Sequence, residues 1–280
     1  MSGIVQGEMK SLSKIEKEYL WGKEQWILSS EHQEVEDTPL LVKIIQAKES
    51  LSIQVHPDNE YARKWEGCKG KTEMWYILDC EKDAFLYYGL KHRVSPGEFT
   101  KRIKNHTILE ICRKVKVKKG DVFFIPPGMV HAIGKGITLA EVQQNSNITY
   151  RIYDYERKDS KNQLRTLHID QAGDVMDWNP AFYEKRPMGS RIEKEGVFKT
   201  LLTSCPYFKV SYIEVEEEMT EKMNGNFRFF YFVEGEAEIC YQGKKKKIGK
   251  GDNLLLTGKQ EEYQIRGKIE FLVSEGNNEA

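Results

Sequence analysis

Across 280 residues, 43 basic side chains balance 43 acidic ones, so the formal net charge is zero and nothing in the bulk charge favours a nucleic acid or an anionic membrane as partner. At 39% hydrophobic residues the composition lies well above the disordered range, and the length suits two modest domains. No apolar run of about 18 residues marks a membrane span and no apolar signal-peptide core opens the chain. Five cysteines, at positions 68, 80, 112, 205 and 240, form no CxxC pair, which fits reduced thiols in a cytoplasmic protein.

In chain order, residues 1–20 read as a polar lead-in, helical or frayed. From Trp21 the texture changes to short segments rich in Val, Ile, Phe and Tyr: Glu24–Ser29, Leu41–Gln46, Leu51–His56, Met74–Leu78, Phe85–Tyr88, Lys114–Val117, Val122–Ile125, Ile137–Gln143 and Thr149–Tyr153. Short strands separated by Gly, Pro, Asn and Asp predict a sandwich or barrel. Two helices interrupt them, Asn59–Glu66, capped by Asp58, and Pro96–Cys112, whose apolar positions keep only rough helical spacing.

Residues 156–195 are charged and irregular. A second β-rich stretch follows: Phe208–Val215, Phe227–Val233, Ala237–Tyr241, Lys245–Ile248, Asn253–Leu256, Glu262–Ile265 and Ile269–Val273. Glu234-Gly235-Glu236 and Gln242-Gly243-Lys244 read as hairpin turns. Gly249-Lys250-Gly251-Asp252 and the apolar run after it echo Lys118-Lys119-Gly120-Asp121, a weak internal repeat. The second copy contains no histidine, so its expected work is packing or shaping a wall. These boundaries predict a lead-in 1–20, a metal-binding domain 21–160, a connection 161–195 and a metal-free β-domain 196–280.

The chemistry concentrates in the first domain. Gly120 to His131 is a β-prone run closed by Pro126-Pro127-Gly128, a turn that delivers one imidazole. In a strand, Gln54 and His56 share a face, and Lys71 and Glu73 share another. Two imidazoles, one carboxylate and one amide oxygen could enclose a divalent metal with room left for water or substrate. A lone His after Pro-Pro-Gly is ordinarily a packing residue; the company of Gln54, His56 and Glu73 favours the metal. Gln54 is the weakest of the four donors, and a supporting role for it stays open. The aromatic group Trp75, Tyr76, Tyr87 and Tyr88 reads as core. Lys244–Lys247 reads as a solvated hairpin, and His32, His92, His106 and His168 read as ordinary residues.

Gly120 through His131 resembles the second motif of the cupin superfamily, Gly-x5-Pro-x-Gly-x2-His. Three further strings resemble type I mannose-6-phosphate isomerases: Leu51-Ser52-Ile53-Gln54-Val55-His56-Pro57-Asp58, Gly70-Lys71-Thr72-Glu73-Met74-Trp75-Tyr76-Ile77-Leu78, and Glu141-Val142-Gln143-Gln144-Asn145-Ser146-Asn147-Ile148-Thr149-Tyr150-Arg151. The likeness runs from about Trp21 to about Val175 and takes in Leu167-His168-Ile169-Asp170-Gln171-Ala172. It departs from the family pattern at Asn147-Ile148, where an Asp-Thr pair is common, and leaves no room for the helical domain of larger members.

The resemblance implies a mostly β protein of two cupin-type jelly-roll β-barrels with a few short helices. It implies one zinc ion per chain on Gln54, His56, Glu73 and His131, with Lys71 and Arg151 as active-site cations. The partner it implies is a small-molecule sugar phosphate, with no nucleic acid and no membrane; oligomeric state is left open. The activity is interconversion of mannose 6-phosphate and fructose 6-phosphate through an enediol, which needs an electrophile, a base and exclusion of water. Lys71, Glu141 and metal-bound water are the candidate bases. The alternatives are a non-catalytic sugar-phosphate-binding or regulatory cupin and a cupin metalloenzyme of another class, since this scaffold hosts unrelated functions.

Overall fold

The structure is a computed structural model that describes residues 7–35, 38–159, 161–180, 185–223, 225–258 and 260–277. Its first half contains strands β1 (Met9–Lys10), β2 (Ile15–Tyr19), β3 (Gly22–Leu28), β4 (Leu40–Ala47) and β5 (Ile53–Val55), then helix α1 (Asn59–Trp65). Next come β6 (Glu73–Cys80), β7 (Phe85–Leu90), helix α2 (Pro96–Lys104), β8 (Cys112–Lys116), β9 (Val122–Ile125), β10 (His131–Ile133), β11 (Ile137–Gln144) and β12 (Tyr150–Tyr153). Helix α3 (Ile169–Val175) precedes β13 (Arg191–Lys194), β14 (Val197–Ser204), β15 (Phe208–Val215), β16 (Glu218–Lys222) and β17 (Phe227–Tyr241). The last strands are β18 (Lys244–Gly249), β19 (Asn253–Thr257) and β20 (Glu262–Gly276). The protein is mostly β, with short helices, as the sequence predicts.

Two compact units result. One comprises 16–25 and 44–185, the other 1–15, 26–43 and 186–280. The division is therefore not the serial one expected. Part of the N-terminal region belongs with the C-terminal β-domain, because β1 pairs with β19 through Met9↔Leu256 and Lys10↔Leu255. Within residues 7–20 the lead-in forms strands rather than helix or frayed chain; residues 1–6 lie outside the described part.

The first of these units is built on the sheet β12-β5-β10-β7-β8 and on β11-β6-β9 of the sheet ordered β2-β3-β4-β11-β6-β9, whose β3 and β4 are only partly counted in this unit. Alternation decides what faces where. Trp75, Ile77, Phe123, Ile125 and Leu139 from one sheet pack with Leu86, Tyr88 and Ile133 from the other in a single buried cluster. Ile53, Val55, Tyr87, Ala132, Tyr150 and Ile152 point the opposite way, into a cluster closed by Phe99, Ala172 and Met176. The five-stranded sheet is thus buried on both faces. Whatever alternates with Ile53, Val55, Ala132 and Tyr150 must turn inward between the sheets.

The second unit holds a nine-stranded sheet whose backbone is the pair of 15-residue strands β17 and β20. Glu234-Gly235-Glu236 is not a hairpin turn. β17 runs straight through it, with a register shift between Phe232 and Glu234 absorbing the irregularity. Gln242-Gly243 does turn, with both residues at positive φ (49° and 75°), matching the twist of the flanking strands. The expected helix Pro96–Cys112 is also shorter. Ser95 Oγ caps it by accepting from the Glu98 N–H, and it stops at Lys104 because His106 takes φ 56° and Cys112 already starts β8.

Candidate metal centre

β5 buries Ile53 and Val55 outward, so Gln54 turns inward, and His56 shares its parity just beyond the strand. β10 does the same with Ala132 outward and His131 inward. In register, His131 lies opposite Gln54, and Gln54 lies opposite Arg151 on β12. One row across three strands therefore carries an imidazole, an amide and a guanidinium. The other sheet supplies Glu73, on the same face of β6 as Trp75 and Ile77.

The turn between β9 and β10 ties the two imidazoles together. Gly128 donates its N–H to the His56 carbonyl at 2.9 Å, and its φ of 82° is one that L side chains rarely adopt. Met129 O accepts from His131 Nδ1 at 2.8 Å, which leaves the Nε2 lone pair facing the site.

His131 Nε2 lies 3.2 Å from Glu73 Oε1, and His56 Nε2 lies 3.7 Å from Glu73 Oε2. One donor atom from each of His56, Glu73 and His131 falls within 4.8 Å of the others. Donors about 2.1 Å from a tetrahedral zinc lie roughly 3.4 Å apart, so only small shifts separate this triad from coordination. All three side chains are fully buried, yet both His56 nitrogens and both Glu73 oxygens make no hydrogen bond of proper geometry. Buried polar atoms left this way are costly unless another group satisfies them, and a divalent cation fits this donor set. Gln54 stands at the margin: its Nε2 is 3.4 Å from His131 Nε2, which puts its carboxamide beside the triad.

The electrostatics favour ligands ready to bind. Burial pushes the His56 imidazole well below its ordinary value, and the Lys71 charge adds to that, so His56 is neutral. Burial on its own would raise Glu73, but the adjacent Lys71 ammonium holds its carboxyl well below the usual range. Lys71 Nζ sits 3.1 Å from Glu73 Oε2 and is itself buried. Its loop is pinned at three points. The Lys71 N–H donates to Pro57 O, Gly70 N–H donates to Asn59 Oδ1 at 2.9 Å, and Thr72 N–H donates to Gln144 Oε1 at 3.0 Å.

Glu141 is buried on the inner face of β11, opposite Trp75, and its Oε2 accepts from Trp75 Nε1 at 2.9 Å. Trp75 in turn packs edge-on against His131, with ring centroids 5.4 Å apart. The indole reads as core in the sequence, but here it also links a predicted catalytic carboxylate to a predicted ligand. Arg151 is half-buried. Its Nη1 donates to Thr166 O at 2.9 Å, while the buried Nε has no hydrogen-bond partner. Burial first, then nearby Arg165, lowers its pKa from the ordinary value.

Gln143 lies inside the third family-like string, yet sequence reasoning does not single it out as a site residue. It lies opposite Glu73, fully buried, with Nε2 donating to the carbonyls of Gln144 and Ser146 and Oε1 without a hydrogen bond. Its signal is parity with Glu141. Asn59, which braces Gly70 and also accepts from Gln144 Nε2 at 3.1 Å, has no signal beyond its place at the start of α1.

Comparison with known proteins identifies the family of the chain. A family described as phosphomannose isomerase type I, catalytic domain, matches residues 3–85, and one described as mannose-6-phosphate isomerase, cupin domain, matches residues 198–275. The chain is 40% identical to mannose-6-phosphate isomerase ManA of Bacillus subtilis (strain 168) over 237 residues, 84% of this chain and 74% of that protein. It is 35% identical to the mannose-6-phosphate isomerase of Streptococcus mutans serotype c over 240 residues, 85% of this chain and 74% of that protein. The crystal structure of a Bacillus subtilis mannose 6-phosphate isomerase superimposes with a TM-score of 0.88 at 28% identity, covering 96% of this chain and 100% of the other. With two family matches along its length and relatives of this identity and coverage, the chain belongs to the type I mannose-6-phosphate isomerases.

Proposed function

We propose that this protein interconverts mannose 6-phosphate and fructose 6-phosphate with a zinc ion held by His56, Glu73 and His131, and with Gln54 as a fourth donor. The observation that carries the reading is the buried triad, whose His56 nitrogens and Glu73 oxygens make no hydrogen bond of proper geometry, Lys71 being an ion-pair neighbour of Glu73. When bound, the metal supplies a Lewis acid for the sugar's carbonyl and hydroxyl oxygens.

The remaining work belongs to the chain. The reaction moves a proton between C1 and C2 through an enediol, so negative charge develops on an oxygen and must be balanced. Arg151 stands in the row with Gln54 and His131, and its fixed charge and unused Nε–H suit an oxyanion or a phosphate oxygen. Lys71 is drawn to Glu73 and is the nearest ammonium to the triad, placed to orient a sugar oxygen or to carry a proton. Glu141 on β11 is held by Trp75 and is a buried carboxylate placed to serve as base, on the same six-stranded sheet as Glu73. The interior between the sheets excludes bulk water, which strengthens each of these charges. The described cysteines are all free, as suits the reducing cytoplasm, and no helix among the described residues is long and apolar enough to cross a membrane.

The test is NMR-monitored conversion of mannose 6-phosphate by purified protein, in chelated and zinc-restored samples. Turnover lost with the chelator and regained with zinc is the expected result. A folded, zinc-loaded protein that binds sugar phosphate without turnover makes this a binding protein on a shared scaffold. His131→Ala is expected to abolish turnover and zinc retention together; a variant keeping one zinc per chain removes His131 from the ligand set.

A further inference from the structure

β12 ends the order of its sheet, so the backbone groups on its outer side meet no strand among the described residues. At Arg151 a single residue takes the place of that strand. The His168 backbone N–H donates to the Arg151 carbonyl at 2.8 Å, and the Arg151 N–H donates to His168 Nδ1 at 3.1 Å. Two residues earlier, Thr166 O accepts from Arg151 Nη1 at 2.9 Å. Residues 166–168 thus grip Arg151 at its main chain and at its guanidinium. The segment is itself anchored, since α3 begins at Ile169 and packs on β12 and β5.

His168 occupies the N-cap position of α3, where a side chain ordinarily serves the helix. Its imidazole makes no such bond and is given over to Arg151. An amide N–H can only donate, so Nδ1 accepts and the ring proton sits on Nε2. Burial and the Arg151 charge lower the His168 pKa, which keeps that neutral form. Arg151 and Gln54 lie directly opposite each other, and the Arg151 main-chain groups are engaged on the outer side. Such a pair is the kind whose side chains stand closest across the ladder.

We propose that His168 is a positioning residue for the isomerisation: its imidazole and N–H fix β12 at Arg151 and so aim the guanidinium at the sugar phosphate. The proposal rests on the reading of Arg151 as an active-site cation. It predicts that the effect of His168 passes through Arg151 and not through the metal.

Steady-state kinetics with mannose 6-phosphate, zinc content and melting temperature are to be measured for full-length His168→Ala, His168→Asn, Arg151→Ala and the Arg151→Ala/His168→Ala double variant. His168→Ala is expected to lose about tenfold in kcat/KM, the worth of one well-placed hydrogen bond, with zinc content unchanged. His168→Asn, whose carboxamide oxygen can stand in for Nδ1, is expected to recover most of the loss. In the Arg151→Ala background, removing His168 is expected to cost nothing further. A full repeat of the loss in that background overturns the proposal, as does an Asn variant as defective as Ala at equal melting temperature. If His168→Ala does not fold, His168→Gln, with its acceptor one bond further out, takes its place against Asn. An impaired Arg151→Ala beside an unimpaired His168→Ala overturns the positioning role alone; wild-type kinetics in Arg151→Ala overturn both it and the reading of Arg151.

Discussion

Burial sets the protonation of His56 before any metal arrives, and that has a consequence in solution. A histidine whose folded pKa lies well below its unfolded value of 6.5 stays neutral while the unfolded chain takes up a proton. Stability from this group is therefore present above pH 6.5 and is lost as pH falls below it, toward the folded value. Glu73, held well below 4.5, acts in the same direction in a lower window, as pH falls from about 4.5. The chelated protein is expected to lose melting temperature as the buffer goes from pH 7.5 to 5.5, and zinc, which competes with that proton at His56, is expected to steepen the loss. A series of calorimetric scans across this range checks it. A flat melting temperature between pH 7.5 and 5.5 would mean that His56 takes up its proton as easily in the fold as outside it. These residues were legible in the sequence because motif and parity both point to them. His168 was not: the bond that gives it a role spans 17 residues and joins an imidazole to a main-chain N–H, which no spacing rule encodes.

Among the elements, the short strands that carry the His56–Glu73–His131 triad were readable because their side chains alternate between two buried clusters. Ile53 and Val55 outward put Gln54 inward, and the same logic places Glu73 and His131. The elements that escaped were those where a local signal competes with pairing. Glu234-Gly235-Glu236 has turn composition, yet β20 offers a continuous partner along β17, and the ladder wins. The Pro-Pro-Gly turn is the opposite case, local chemistry and tertiary demand agreeing. Gly128 has φ 82°, and a Cβ there would meet Val175 O at 2.9 Å. Gly128→Ala is expected to cost about 2 kcal/mol through backbone strain and crowding, and to weaken zinc retention because the same turn bonds His56 and leads into His131. Denaturant melts with metal analysis on the same samples check both. Stability lost with zinc affinity intact would show that the turn supports the fold without setting the ligands.

At the scale of the molecule, a serial reading expects a connection at 161–195 between two domains that are each continuous in sequence. What the sequence does not reveal is that residues 1–15 and 26–43 belong with 186–280. Such long-range membership is written in pairings 240 or so residues apart, which periodicity within a window cannot register. Asn253 is one of the residues that make it. Its Oδ1 accepts from the Leu12 N–H at 2.9 Å and its Nδ2 donates to the Leu12 carbonyl at 3.0 Å, so one buried carboxamide does what a strand neighbour would do. Asn253→Ala would leave both Leu12 groups buried without partners, at a cost of about 2 kcal/mol or roughly 4–8 °C in melting temperature. All the proposed ligands lie in the other unit, within 44–185, so zinc per chain is expected to stay at the wild-type level below the new melting temperature. If Asn253→Ala instead empties the metal centre of a protein that still melts as before, the two units are coupled through something other than stability, and the C-terminal β-domain has a part in holding the site.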